Sequence, residues 1–457
     1  MDHANSKTNP AAPILADFAA GLRDEDIPVQ VLERAQQCLV DAIACAMFGQ
    51  SLPWSKILLA QTGLDEKAGF LPLATSTSLT AIREAALAWG AQSHAFELDS
   101  LVQPSVGVHP GATVALPALA VAQACHASGR DLLRSIVAGF EVMHRVGTAT
   151  LHSPEKRGFH APGIVGPFGA AIAIGVLMGL DSGHLTQAMG IAGSLGAGLL
   201  AFSKAGSGGM VKRLHMGRAA ESGILAAQLA AGGYEGPDTV LDGAFGVLEA
   251  YCNDHDAALL TAGLGSSWQT SSLAIKSFAC HITAHIPVHM LRSLMARHGF
   301  TGHDIAALNL HVSDKVLSHH TARQPGDIMQ VQYSVPYVVA VAAYRDPADP
   351  ASFRSDVISD DNIKRLAELI VLEPLRDISG RRGPTELKIT LRDGRQLEDA
   401  ATSFLGCPDQ PLSSDQLRAK FLVLTKDRIA EPERLFDSLM AISNNPDVSS
   451  LWTSGLR

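Results

Sequence analysis

Between residues 11 and about 262 the chain is dominated by Ala, Leu, Gly and Val at helical spacing, and almost no run alternates β-branched residues as a half-buried strand requires. That texture leaves an all-helical block as the fold of this region. Clear helical stretches run over Pro28 to Phe48, Leu79 to His94, Ala112 to Ala127, Arg130 to Thr148 and Gly217 to Ala231, and Ser128-Gly129 supplies the break before the fourth. Past Ser266 the pattern changes. Leu308 to Val312 alternates as LNLHV, and Glu386 to Ala400 reads as two short strands joined at Arg392-Asp393-Gly394. Asp361 to Leu369 is helical, and after Pro411 the Ser414-Asp415-Gln416 start and the Pro432 to Ile442 stretch return to helix. The expected fold is mainly α. A helical domain covers 11–265, a smaller α+β domain covers 266–410, and 411–457 packs back onto the helices.

A length of 457 residues also favours two domains, since single cores stop growing well short of it. Hydrophobic residues at 47% against 18% charged mark a globular protein, and a formal charge of −9 leaves no broad basic surface for nucleic acid. An acidic chain that binds an anion must concentrate its cations locally. The start, MDHANSKTNPAAPILADF, lacks the basic opening and unbroken apolar run of a secretory signal. Pro162 to Leu180 carries no charge, but its many Gly and Ala residues suit a helix buried against neighbours, and no second apolar span accompanies it. Cys38, Cys45, Cys125, Cys252, Cys280 and Cys407 show no C-x-x-C spacing and read as reduced core residues of a cytoplasmic protein.

Eighteen histidines are present, and the informative ones stand beside Gly or Pro in four segments. In HAFELDSLVQPSVGVHPGA, Asp99 and His109 bracket a loop leading into an apolar helix; a helix N-terminus favours anions, and Asp99 is placed to orient an imidazole. The alternative is a loop that Asp99 and His109 only cap. In RGFHAPGIVGPFGAA, His160 sits on a loop before a buried helix with Arg157 nearby, a setting in which a lone histidine more often only hydrogen-bonds. SGGMVKRLHMGRAAESG places Lys212, Arg213, His215 and Arg218 between a glycine-rich loop (Gly206, Gly208, Gly209) and a helix. It lacks the phosphate-loop pattern, and a merely solvated basic helix start would oppose the helix dipole unless an anion is bound. In AIKSFACHITAHIPVHM, Lys276, His281, His285 and His289 lie at the junction of the two textures. The i, i+4, i+8 histidines invite a metal reading, but Pro287 interrupts the helix and no acidic ligand is near, so substrate contact by Lys276 and His281 is preferred and no metal is expected.

Taken together and in this order, the HPGA loop, GFHAPG…FGAA, KRLHMGRAAESG and IKSFACH…AH resemble the characteristic blocks of the MmgE/PrpD family, which includes 2-methylcitrate dehydratases, cis-aconitate decarboxylases and iminodisuccinate epimerases. The resemblance spans most of the chain. It implies a large helical domain, a smaller α+β lid domain, a homodimer and an active site in the cleft between the domains. Carried over position by position, it places Asp99, His109, His160, Lys212, Lys276 and His281 in that site. His281 resembles the decarboxylases, where many dehydratases have Cys; the tyrosine that decarboxylases carry after the first lid strand is not evident near Val316 to His319. The loop before His109 also lacks the tryptophan and the His-Pro-Ser-Asp stretch associated with methylcitrate dehydratases.

On this reading the protein is a lyase acting on a small polycarboxylate without cofactor. Dehydration of 2-methylcitrate or a related tricarboxylic acid is the first expectation; cis-aconitate decarboxylation or epimerisation of an amino-polycarboxylate is the alternative. In each reaction negative charge develops beside a carboxylate. Lys212, Lys276 and His281 are the expected charge stabilisers, His109 and His160 the proton carriers, and Asp99 their orienter. From other classes, a silent carboxylate-binding protein on the same scaffold and a metal hydrolase remain as rivals.

Overall fold

A computed structural model of the chain describes residues 10–64, 79–102, 107–204, 209–375, 377–378, 381–382 and 384–452. The Gly206 and Gly208 of the glycine-rich segment and residues 103–106 of the first loop lie outside these. The chain falls into two compact units: Met1–Ala95, Asp99–Ala274 and Leu417–Arg457 form one, and Phe96–Leu98 with Ile275–Gln416 form the other. The protein is mainly helical, with the sheet confined largely to the smaller unit.

In the first unit the principal helices are α1 (Ala11–Gly21), α2 (Val29–Gly49), α3 (Leu79–Ser93), α4 (Leu116–Ala124), α5 (Gly129–Ala149), α6 (Ala161–Leu177), α7 (Ser182–Leu195) and α8 (Val211–Ala231). The Ser128 hydroxyl caps α5 by accepting from the Asp131 N–H at 3.1 Å. α4 is entered through one π-helical turn, Gly111–Ala115. Pro117 explains it in part, because it has no N–H to give the Thr113 carbonyl. The uncharged Pro162–Leu180 stretch supplies all but the first residue of α6 and runs three residues past its end; the helix is buried from Ala161 to Gly175 and packed against α5, α7 and α8. Its glycines allow this closeness: a Cβ on Gly166 would stand 2.8 Å from the Ala219 Cβ of α8. No helix among the described residues is long and apolar enough to cross a membrane.

α8 begins six residues earlier than its hydrophobic periodicity indicated, so Lys212, Arg213 and His215 stand on its first turns, with Lys212 and Arg213 buried. This corrects the picture of a basic loop preceding the helix. Two short strands also interrupt the helical block, β1 (Leu101–Val102) antiparallel to β2 (Leu273–Ala274).

The second unit has α9 (His285–His298), α10 (Val335–Tyr344) and α11 (Asp361–Leu369) beside a four-stranded sheet. Its strands are β3 (Ile305–Val312), β4 (Ile370–Pro374), β5 (Thr385–Leu391) and β6 (Gln396–Ala401), in spatial order β4-β3-β5-β6. β3 and β4 are parallel, as the intervening helices require, and β5 and β6 form a hairpin whose Gly394 takes a φ of 91°. Phe96–Leu98 joins this unit because the Gln332 amide donates to both Phe96 O and Ala279 O at 2.9 Å. α12 (Ser414–Thr425) and α13 (Pro432–Met440) close the chain; in the first unit Lys420 of α12 pairs with buried Asp41 of α2, and Leu439 O accepts from Gln36.

Candidate active site

In the first unit the chemistry gathers around one carboxylate. Asp99 is completely buried, and both Nδ1 of His94 and Nδ1 of His109 lie 2.9 Å from its Oδ2. The His109 Nδ1 also faces Ser100 O at 3.1 Å. Both neighbours of that nitrogen are acceptors, so it carries a proton, and Nε2 is the ring nitrogen left to face other groups. Burial alone would raise the Asp99 carboxyl, but the His94 and His109 rings hold it well below the usual carboxylate range. His94 is fully enclosed, and burial, with the Lys212 ammonium adding to it, pushes it down to about 3 against the pull of Asp99. The two rings meet edge to face at 4.6 Å.

His160 immediately precedes α6 and is 7% exposed. Burial first, then Lys212 and the His94, His215 and His109 rings, hold it well below the usual imidazole range. Its Nδ1 lies 2.8 Å from Nδ1 of His215 on α8. The structure thus brings Asp99, His109, His160 and Lys212 into one electrostatic neighbourhood and adds His94 and His215. Arg157 turns elsewhere, donating to Ala250 O and lying over the Phe159 ring. Arg213 is a structural tie, bonded to Gly209 O and Ala95 O and set over Trp54. Arg218 pairs with Glu221 at the surface.

The second unit holds the other two candidate residues. The Lys276 ammonium is buried and 3.2 Å from Glu97, and the Tyr333 hydroxyl lies 3.4 Å from the same carboxylate. Glu97 takes a φ of 57°, a left-handed conformation that a non-glycine residue adopts at a cost and that concentrates at functional sites. His281 stacks on His320 at 4.2 Å and meets the Tyr333 ring at 5.0 Å. Burial, with His320 and Lys315 adding to it, holds His281 well below the usual range. Pro287 does not interrupt the helix: it stands in the first turn of α9, where its missing N–H costs nothing. His285, at the start of α9, is wedged between Phe278 and Phe404, whereas the His281 Nδ1 faces Thr283, so these histidines do not form one metal-binding face.

Among the described residues, ligand-type atoms of His94, Asp99 and His109 all lie within 4.8 Å of one another, a spacing that a metal ion would tolerate. Their hydrogen-bond distances and acceptor-facing Nδ1 atoms are equally those of protons shared with a carboxylate. The cysteines are not part of this chemistry: Cys38 touches the Ser100 hydroxyl at 3.2 Å, but burial pushes its thiol up, and the one exposed thiol is Cys125.

A mainly helical protein with a smaller α+β unit, carrying buried imidazoles and lysines around carboxylates, is the class that fold and site define. The sequence matches the MmgE/PrpD N-terminal domain over residues 14–260 and the MmgE/PrpD C-terminal domain over residues 278–443. The chain belongs to the MmgE/PrpD family. Among its relatives, a cis-aconitate decarboxylase of Aspergillus terreus is 28% identical over 98% of this chain and 96% of its own length. A cis-aconitate decarboxylase-like protein, oryM, of Aspergillus oryzae is 27% identical over 96% and 95%. The Homo sapiens cis-aconitate decarboxylase is 28% identical over 74% and 71%. These relatives carry the name of a decarboxylase, which shifts the weight away from the dehydratase expected first.

Proposed function

We propose that this protein is a cofactor-independent carboxy-lyase that decarboxylates cis-aconitate or a closely similar unsaturated tricarboxylate, as a cytoplasmic homodimer. The observation that carries the reading is the buried set in which Asp99 holds His109 while Lys212 stands close enough to depress both His94 and His160. The names of the relatives and the histidine at position 281 favour decarboxylation over dehydration.

The chemistry fits these groups. When the carboxylate on the substrate's methylene carbon leaves as carbon dioxide, the electron pair of the broken bond forms a new C=C. The old π pair moves onto the carbon beside a second carboxylate, and that enediolate-like charge must be met by fixed cations. Lys212 is the assigned partner, with Lys276 and His281 holding carboxylates; such preorganised charge contributes on the order of several kcal/mol. One proton then goes to carbon from His160. His109 is the second proton carrier, the group that would remove a carbon-bound proton if the substrate were a hydroxy acid.

The test is to incubate purified protein with cis-aconitate, trans-aconitate, citrate and 2-methylcitrate while following carbon dioxide and unsaturated product separately. Carbon dioxide release from cis-aconitate is the expected result. Loss of water from 2-methylcitrate without carbon dioxide would replace this reading by the hydro-lyase.

A further inference from the structure

A decarboxylation of this kind consumes one proton per turnover, and the buried His160 must recover it. The His160 Nδ1 does not face a carboxylate or a carbonyl; it faces the Nδ1 of His215 at 2.8 Å. Two nitrogens at that separation share a single proton, because two N–H groups would clash and two lone pairs would repel. The two rings therefore take complementary tautomers. His215, on the second turn of α8, is half-buried, whereas His160 is 7% exposed, so the pair runs from an enclosed nitrogen toward a more accessible ring. The Phe202 ring covers both, at 5.3 Å from His160 and 6.0 Å from His215. The backbone makes room for the arrangement: Gly198 O accepts from the His160 N–H, and Gly198 has a φ of 145° and lacks the Cβ that would press to 3.2 Å from the His215 Nδ1.

We infer that His215 is a proton-relay residue that acts through His160. The assignment rests on the decarboxylase reading. As carbon takes the proton from the His160 Nε2, the His160 Nδ1 takes the proton from the His215 Nδ1, and the His215 Nε2 binds one from solvent. Once product has left, the His160 Nε2 takes a proton from water entering the emptied site, the shared proton returns to the His215 Nδ1 and the His215 Nε2 gives one up, which restores the resting tautomers with a net uptake of one proton. One proton enters and one leaves as product C–H, so the sequence balances without an oxidant or a second substrate. Burial, with Lys212 adding to it, lowers both imidazoles, which agrees with two neutral rings sharing one proton. His215 thus spares the buried His160 from being left as an imidazolate when carbon takes the proton from its Nε2.

The deciding experiment compares wild type with His215→Phe, which keeps a ring in place, and His215→Gln. Both variants are expected to lose roughly a hundredfold in kcat with KM within about twofold, the usual worth of a positioned proton carrier. Added imidazole buffer is expected to restore activity to the variants in a saturable way and to leave wild type unchanged. A purely structural role predicts no rescue, and a folded variant with wild-type kcat overturns the relay. In wild type, kcat in H2O/D2O mixtures is expected to bow, as more than one proton is in flight; a straight line contradicts it. If cis-aconitate is not turned over at all, the decarboxylase reading fails and the relay with it, whereas the shared proton between the two rings is decided separately by ring ¹⁵N–¹H NMR. One shared Nδ1 proton on His215 with Nε2–H on His160 supports it, and separate protons on both Nδ1 atoms refute it.

Discussion

Asp99 shows how much one residue organises. It is a buried acceptor serving two ring N–H groups, and its ionisation and the tautomers of His94 and His109 stand or fall together. Asp99→Asn replaces one acceptor oxygen by a donor, so one imidazole must flip its tautomer or lose its partner. The expected result is a drop in kcat of about a hundredfold with the fold retained, read by steady-state kinetics beside a thermal melt. An unchanged kcat would make Asp99 only a loop cap. Asp99 and His109 were conspicuous in the sequence because they bracket a Pro/Gly loop beside a helix start. His94 was not. It reads as the last residue of an apolar helix, and its approach to Asp99 depends on a left-handed residue, Glu97, between them, which local propensity does not indicate. His215 was visible only as one of four cations in a basic stretch; a short spacing between two histidines 55 positions apart along the chain leaves no local mark.

At the scale of elements, the cap of α6 and the second turn of α8 hold the His160–His215 pair at 2.8 Å, and the close packing of the two helices fixes that distance. Gly166→Ala places a Cβ 2.8 Å from Ala219 and 3.2 Å from Thr113, so the helices must part. Destabilisation of about 1–3 kcal/mol is expected, checked by denaturant unfolding, with a fall in kcat/KM larger than the loss of folded protein explains. Periodicity located α2, α3, α5, α11 and α13 within one or two residues at each end, because an apolar stripe of helical spacing leaves few other solutions, but it gave no bounds for α1, α7, α9 or α10. It failed at α8, where Lys212 and His215 broke the apolar pattern although the helix continues through them; a buried cation looks like surface to a hydropathy argument. The β5–β6 hairpin was legible from Arg392-Asp393-Gly394, whereas the parallel pairing of β3 with β4 was not, since its partners are 62 residues apart along the chain.

Across the whole molecule the acid limit of stability follows from the number of histidines buried neutral. His94 is pushed to about 3, His144 and His320 to about 4, and His160 and His281 also fall well below the usual range, all with burial as the first cause. The unfolded chain binds protons at these groups near pH 6.5 and the folded chain does not. Stability is therefore full above about pH 6.5 and declines as pH falls toward the folded values of about 3 to 4, each fully titrating histidine contributing a slope of up to about 1.4 kcal/mol per pH unit. Thermal midpoints between pH 4.5 and 8 are expected to fall steeply on the acid side, and a flat profile would mean the imidazoles are charged in the fold. Residues whose pairings define the two units, such as Phe96–Leu98 with Ile275–Gln416, were the least legible, because three residues joining a unit more than 170 positions away answer to no local pattern.

The central claim is that carbon–carbon cleavage is followed by protonation from a buried imidazole. Its most direct measurement is turnover of ¹³C-labelled cis-aconitate in D2O by wild type and Lys212→Ala, followed by NMR. One carbon dioxide and one carbon-bound deuteron per product molecule from wild type, with no turnover by the folded variant, is the predicted result. Product without labelled carbon dioxide, or undiminished turnover by Lys212→Ala, would contradict it.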